Sequence, residues 1–141
     1  MKFLNESDFI GIIAQATLDQ LKGENNANLK KAELLAISKV APLRDNYSID
    51  IELAKAGTAR NDELVRILSV LTAYYLFNTV EDTDIPDRIH DNYNDEYKAV
   101  LAIAVGKQHT TIPRHNNTDG TPRHNFRSGG DKPRSLDPYY R

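Results

Sequence analysis

Apolar residues recur at helical spacing in four stretches of this chain, and one stretch is apolar on every side. Residues 62–80 hold Leu64, Val65, Ile67, Leu68, Val70, Leu71, Ala73, Tyr74, Tyr75, Leu76, Phe77 and Val80. These positions surround a 3.6-residue helix, the pattern of a buried central helix or a membrane span. A span needs roughly 20 largely uncharged residues. Asp62, Glu63 and Arg66 in the first turns and Asn78 near the end make this a core helix instead. Asn61 or Asp62 serves as its N-cap, and the early acids suit the positive end of the helix dipole.

The other three stretches carry single stripes that must cover it. Residues 8–22 follow Ser7 and place Ile10, Ile13, Ala14, Thr17, Leu18 and Leu21 on one face, with Gly23 as the stop. Gly11 either allows close packing inside this helix or breaks it after the first turn. Residues 27–40 present Leu29, Ala32, Leu35 or Ala36, and Val40, and Pro42 ends them. Residues 86–105 open on Pro86 and carry Ile89, Tyr93, Tyr97, Val100 and Ala104, then Gly106 and Lys107. Between residues 43 and 60, Tyr47, Ile49, Ile51 and Leu53 alternate with polar residues. That stretch is either a short strand or hairpin arm, or a helical turn across residues 51–56, and Gly57 ends either one. The expected fold is all-α: about four helices around residues 62–80, with Leu64, Ile67, Leu68, Leu71, Tyr75, Tyr93 and Val100 in the core.

Composition changes at Gly106. Residues 107–141 hold four of the six prolines and few large aliphatics, Ile112 and Leu136. Such a segment cannot bury enough apolar surface to fold alone. The expected division is therefore a helical body, residues 1–106, and an extended arm, residues 107–141. Seven Lys/Arg against three Asp put the arm at +4, which leaves −6 for the body within an overall −2. An acidic body with a basic tail points to an arm that meets a partner. Arg114, Arg123, Phe126, Arg127, Arg134, Tyr139 and Tyr140 are its candidate docking residues, because terminal aromatics with no local core suit a partner surface. Fully extended at ~3.3 Å per residue, the arm reaches roughly 115 Å.

Catalytic and metal chemistry find little foothold. The chain has no cysteine, which removes disulfides, thiolate metal sites and cysteine nucleophiles. His109, His115 and His124 are irregularly spaced, with no paired-histidine motif. Glu81, Asp82, Asp84, Asp87 and Asp91 cluster at the start of the last helix, where acids favour the helix dipole without any cation. No phosphate-binding glycine loop or serine elbow is present, so no cofactor, metal or enzymatic role is expected. MKFLNESDF lacks a positive segment followed by an apolar one, so no signal peptide is expected either.

The last helix, IPDRIHDNYNDEYKAVLAIAVGK, resembles the closing segment of Mu-like tailed-phage small virion morphogenesis proteins, of the head–tail connector or adaptor type. Ile85-Pro86, Tyr93, Val100, Ala104 and Gly106-Lys107 carry the match, with Ala32, Ala36, Tyr47 and Arg60-Asn61 upstream. Glu96 stands where that pattern has a small apolar residue, and the segment after Pro113 lies outside it. The resemblance implies a structural virion protein at the neck, in a homo-oligomeric ring commonly of twelve copies between portal and tail. Its partners would be the portal protein and other neck or tail proteins, with DNA passing through the channel without specific binding. No membrane is involved, and the protein would be made in the bacterial host cytoplasm. A small helical nucleic-acid-binding regulator using the basic tail is the alternative.

Overall fold

The computed structural model describes residues 1–80 and 84–116, and these form an all-α fold with no strand. Five α-helices follow one another: α1 (Gln15–Leu21), α2 (Ala27–Lys39), α3 (Ile49–Leu53), α4 (Asp62–Thr79) and α5 (Asp87–Ala104). Short 3-10 turns lie at Glu6–Phe9, Glu24–Asn26, Ala41–Asp45 and Gly57–Ala59. α4 is the centre, packed between α2 and α5. Leu64, Ile67, Leu68 and Leu71 on α4, and Val100 on α5, are fully buried. Asn61 is the N-cap of α4, its side-chain oxygen accepting from the Leu64 N–H at 3.0 Å.

Tyr75 and Tyr93, expected in the core, are only half-buried at its edge. A phenol hydroxyl needs a polar partner. These two supply each other, with their oxygens 3.0 Å apart across the α4–α5 seam.

The helix expected over residues 8–22 is split. A 3-10 turn at Glu6–Phe9 is followed by Gly11 at φ +86°, and α1 begins only at Gln15. The left-handed conformation at Gly11 ends one helical run and redirects the chain. On α2 the buried stripe takes Ala36 rather than Leu35, which is 39% exposed, along with Leu29, Ala32 and Val40. Apart from an isolated bridge at Tyr47, the regular structure in the stretch 43–60 is helical, and α3 starts at Ile49, two residues before the expected turn.

The boundary expected at Gly106 is corrected by the structure. α5 does end there. Gly106 sits at φ +79°, its N–H donating to Ile103 O at 3.1 Å and that of Lys107 to Ala102 O at 2.8 Å. This is the paired closure that satisfies the last carbonyls of a helix. The chain then folds back onto the body instead of leaving it. Ile112 is buried in the core cluster. Arg114 forms an antiparallel bridge with Tyr47. Ser48 N–H and Ser48 Oγ both donate to Pro113 O, at 3.0 and 3.1 Å. The body therefore runs through at least His115. Composition missed this because the segment does not fold by itself. It borrows one apolar site and several unpaired polar groups from helices already in place.

Candidate functional site

The segment after Gly106 is tied down residue by residue. Thr111 donates its N–H and its hydroxyl to Glu63 Oε1, at 2.7 and 3.0 Å. Asn61 caps α4 with its oxygen and donates from Nδ2 to Thr111 O at 3.2 Å. His115 N–H donates to Asn46 O at 3.1 Å, and His115 Nε2 donates to Arg44 O at 2.6 Å. The end of the described chain is thus fixed beside residues 44–48. Arg114, expected to pair with a partner's carboxylate, has its guanidinium 5.8 Å from the ring centroid of its own Tyr47 and remains exposed. The other candidate docking residues, Arg123, Phe126, Arg127, Arg134, Tyr139 and Tyr140, lie outside the described residues, as does His124.

A second polar anchor holds the N-terminal residues. Glu33, on the buried stripe of α2, is 1% exposed. Its carboxylate accepts the backbone N–H groups of Lys2, Phe3 at 3.0 Å and Leu4 at 2.7 Å. Extended backbone has no internal partners, and a buried carboxylate satisfies such donors strongly. Phe3 and Leu4 are thereby brought into the core. The signal available in the sequence was a charged residue standing on the apolar stripe between Leu29 and Ala36.

Arg60 locks the same region to α4. Its guanidinium forks onto Asp8, Nη1 to Oδ2 at 2.6 Å and Nη2 to Oδ1 at 3.2 Å. It also donates to Phe3 O at 3.0 Å and lies 5.5 Å from the Phe3 ring centroid. Burial would raise the Asp8 pKa. The Arg60 hydrogen bonds, the Asn5 N–H and the Arg60 charge outweigh it and hold the carboxyl below its ordinary value.

Between α4 and α5 runs a tyrosine ladder. Tyr74 stacks on Tyr93 with centroids 4.0 Å apart, Tyr97 lies 6.0 Å beyond, and Lys39 Nζ is 5.3 Å from the Tyr97 centroid. Burial, then the hydrogen bond to Tyr93, raises the Tyr75 phenol above its ordinary value. His90 of α5 lies beside the ladder, its ring centroid 5.9 Å from that of Tyr74, and the ladder joins the two helices. Beside it, Glu96 of α5 pairs with Arg66 of α4. That explains how an acid is accommodated at a half-buried position.

Surface concavities lie elsewhere. One of about 290 Å³ is lined by Met1, Lys2, Lys30, Glu33 and Leu34. A second of the same size is lined by Lys2, Ile37, Arg44, Asp50, Leu53 and Ala54. Among the described residues no group of three or more His, Asp or Glu side chains could hold a metal ion. Of the acids around the start of α5, Asp84, Asp87 and Asp91 are exposed, while Glu81 and Asp82 lie outside the described residues. No described helix is long and apolar enough to cross a membrane. Comparison with known proteins finds no matching family model, no similar curated protein and no similar solved structure.

Proposed function

We propose that this chain is a structural subunit of a tailed-phage virion, a head–tail connector that forms a ring at the neck between portal and tail. The observation that carries the reading is the fixed origin of the basic end. The sequence through Asn116 holds 17 Asp/Glu against 13 Lys/Arg, net −4, whereas residues 117–141 hold five Lys/Arg against three Asp, net +2. The last described residues are clamped to the body at Asn61, Glu63, Ser48 and Asn46. A basic segment launched from a set point on an acidic body suits docking on a neighbouring subunit, the portal or another neck protein. An acidic wall suits DNA passing without adhesion, because like charge repels phosphate. Exposed apolar side chains, Leu34, Leu101 and Val105 among them, are available for subunit contacts that close by rotation. The role is non-enzymatic, without cofactor, and its site is the assembled virion.

Native mass spectrometry and electron microscopy of the purified chain test this. Closed rings, or incorporation into particles, are expected. A chain that stays monomeric at all concentrations and binds duplex DNA with steep salt dependence would instead be the nucleic-acid-binding regulator, and the connector reading would fall.

A further inference from the structure

α2 turns two pairs of exposed side chains outward, Lys30 and Lys31, then Leu34 and Leu35 one turn later. Leu34 is 57% exposed, and with Lys30 it lines the cleft closed by Met1 and Lys2. The only carboxylate on α2, that of Glu33, is buried and taken up by the N–H groups of residues 2–4. Among the described residues, none of Lys2, Lys30 and Lys31 has an ion-pair partner. Neighbouring exposed leucines beside unpaired cations make a surface suited to an acidic partner with apolar side chains of its own.

α5 has that composition. Asp87, Asp91 and Asp95 recur every four residues, so they share one side of the helix, and all three are exposed. None of them has an ion-pair partner among the described residues. Asp84, just before the helix, is exposed as well. Arg88 and Lys98 border this side, and Arg88 already donates to Ile12 O. Four acids against two cations leave it at −2. Leu101, 42% exposed, and Val105, 56% exposed, follow toward the helix end. In both helices the charged turns come first and the apolar ones after. At 1.5 Å per residue, Lys31 precedes Leu35 by about 6 Å and Asp95 precedes Leu101 by about 9 Å. Laid parallel, the two helices bring cations onto acids and leucines onto Leu101 and Val105 in the same register.

We infer that the α2 face of one copy of this chain docks on the α5 face of a second copy. Lys30 and Lys31 meet Asp91 and Asp95, and Leu34 and Leu35 cover Leu101 and Val105. The two faces belong to different helices with α4 between them. Each copy therefore meets two neighbours, and the contact runs head to tail, the form that closes into a ring by rotation. This rests on the ring reading above and names the surfaces that build the ring. Exposed ion pairs contribute little individually, so the charges select partner and register while the apolar pairs supply the buried area.

Two full-length variants test it, each reversing one face: Lys30→Glu/Lys31→Glu on α2 and Asp91→Lys/Asp95→Lys on α5. All four positions are exposed, so both variants should keep the native circular dichroism and melting temperature. Each variant alone sets like charges across the contact. Native mass spectrometry should find it monomeric at concentrations where the native chain assembles. In an equal mixture, each α2 face finds an α5 face of opposite charge on the other variant. Oligomers holding the two variants in equal numbers should then return. Assembly of either variant alone, or a mixture that stays monomeric, overturns the inference and leaves the ring reading standing. A native chain that is monomeric at all concentrations overturns both.

Discussion

Glu63 holds Thr111 twice, accepting both its backbone N–H and its hydroxyl on one carboxylate oxygen, at 2.7 and 3.0 Å. Glu63 stands in the first turn of α4, where a carboxylate already favours the positive helix end. The central helix is therefore joined at its start to a segment 48 residues later in the chain, and the segment's own apolar residue, Ile112, goes into the core beside it.

That attachment predicts where the chain can be cut. A chain ending after Asn116 should melt as a cooperative helical unit close to the full-length protein. One ending after Lys107 should melt lower, because it loses Ile112 and uncovers Tyr47 and Ser48. Ile112→Ala alone should cost ~2–5 kcal/mol, the usual range for emptying a buried isoleucine site. Circular dichroism at rising temperature or urea compares the three. Equal stability for the Lys107 truncation and the full chain would show that the attachment contributes nothing.

Leu68 and Leu71 are fully buried, with α2 and α5 on either side of their helix. Alanine at either position should cost ~2–5 kcal/mol, set by how far the surroundings collapse. Leu101→Ala, at a position 42% exposed, should stay within about 0.5 kcal/mol as surface substitutions do. Urea denaturation separates these outcomes, and a reversed ranking would move the centre of the fold away from α4.

What the sequence made legible follows from which forces are local. Apolar periodicity is local, so α2, α4 and α5 fall where it places them, and Leu64, Ile67, Leu68, Leu71 and Val100 are buried. Gly106 ends α5 for a reason visible in one residue, its freedom at positive φ. Long-range polar pairing is not local. Nothing near Glu33 announces the N–H groups of residues 2–4, and nothing near Asp8 announces Arg60, 52 residues away. The same holds for Ile112, a lone aliphatic in polar surroundings whose partner site exists only after the helices have packed. Tyr75 and Tyr93 pack against the core from the α4–α5 seam, because helical spacing reports the face a residue lies on, while the hydroxyl decides how deep it goes.

Thr72 is fully buried on α4, and its hydroxyl is without a hydrogen-bond partner among the described residues. An unsatisfied buried hydroxyl costs ~1–3 kcal/mol of desolvation. Valine has nearly the same shape and no such group. Thr72→Val should therefore raise stability, by roughly 1 kcal/mol, visible as a higher urea midpoint with an unchanged slope. A loss of stability would mean that the hydroxyl is bonded in solution, for instance to an internal water.

The Asp8–Arg60 fork predicts the direction of an acid effect. The folded-state pKa of Asp8 lies below its ordinary value of 3.8, despite burial, because Arg60 and the Asn5 N–H favour the ionised form. A carboxyl whose pKa is depressed by folding binds more protons in the unfolded chain over that interval, so its contribution is lost as the pH falls. The stabilisation is present in full above the unfolded value, begins to decline near pH 3.8, and is gone below the folded value. Asp8→Asn should be less stable than the native chain at pH 7, since Arg60 would keep its burial and lose its counter-charge. The gap between the two proteins should close as pH is lowered from about 5 toward 2. Urea melts of both proteins at several pH values measure that gap. If it is constant across the series, the titration of Asp8 is not coupled to folding, and the fork seen between Arg60 and Asp8 does not stabilise the charged carboxylate.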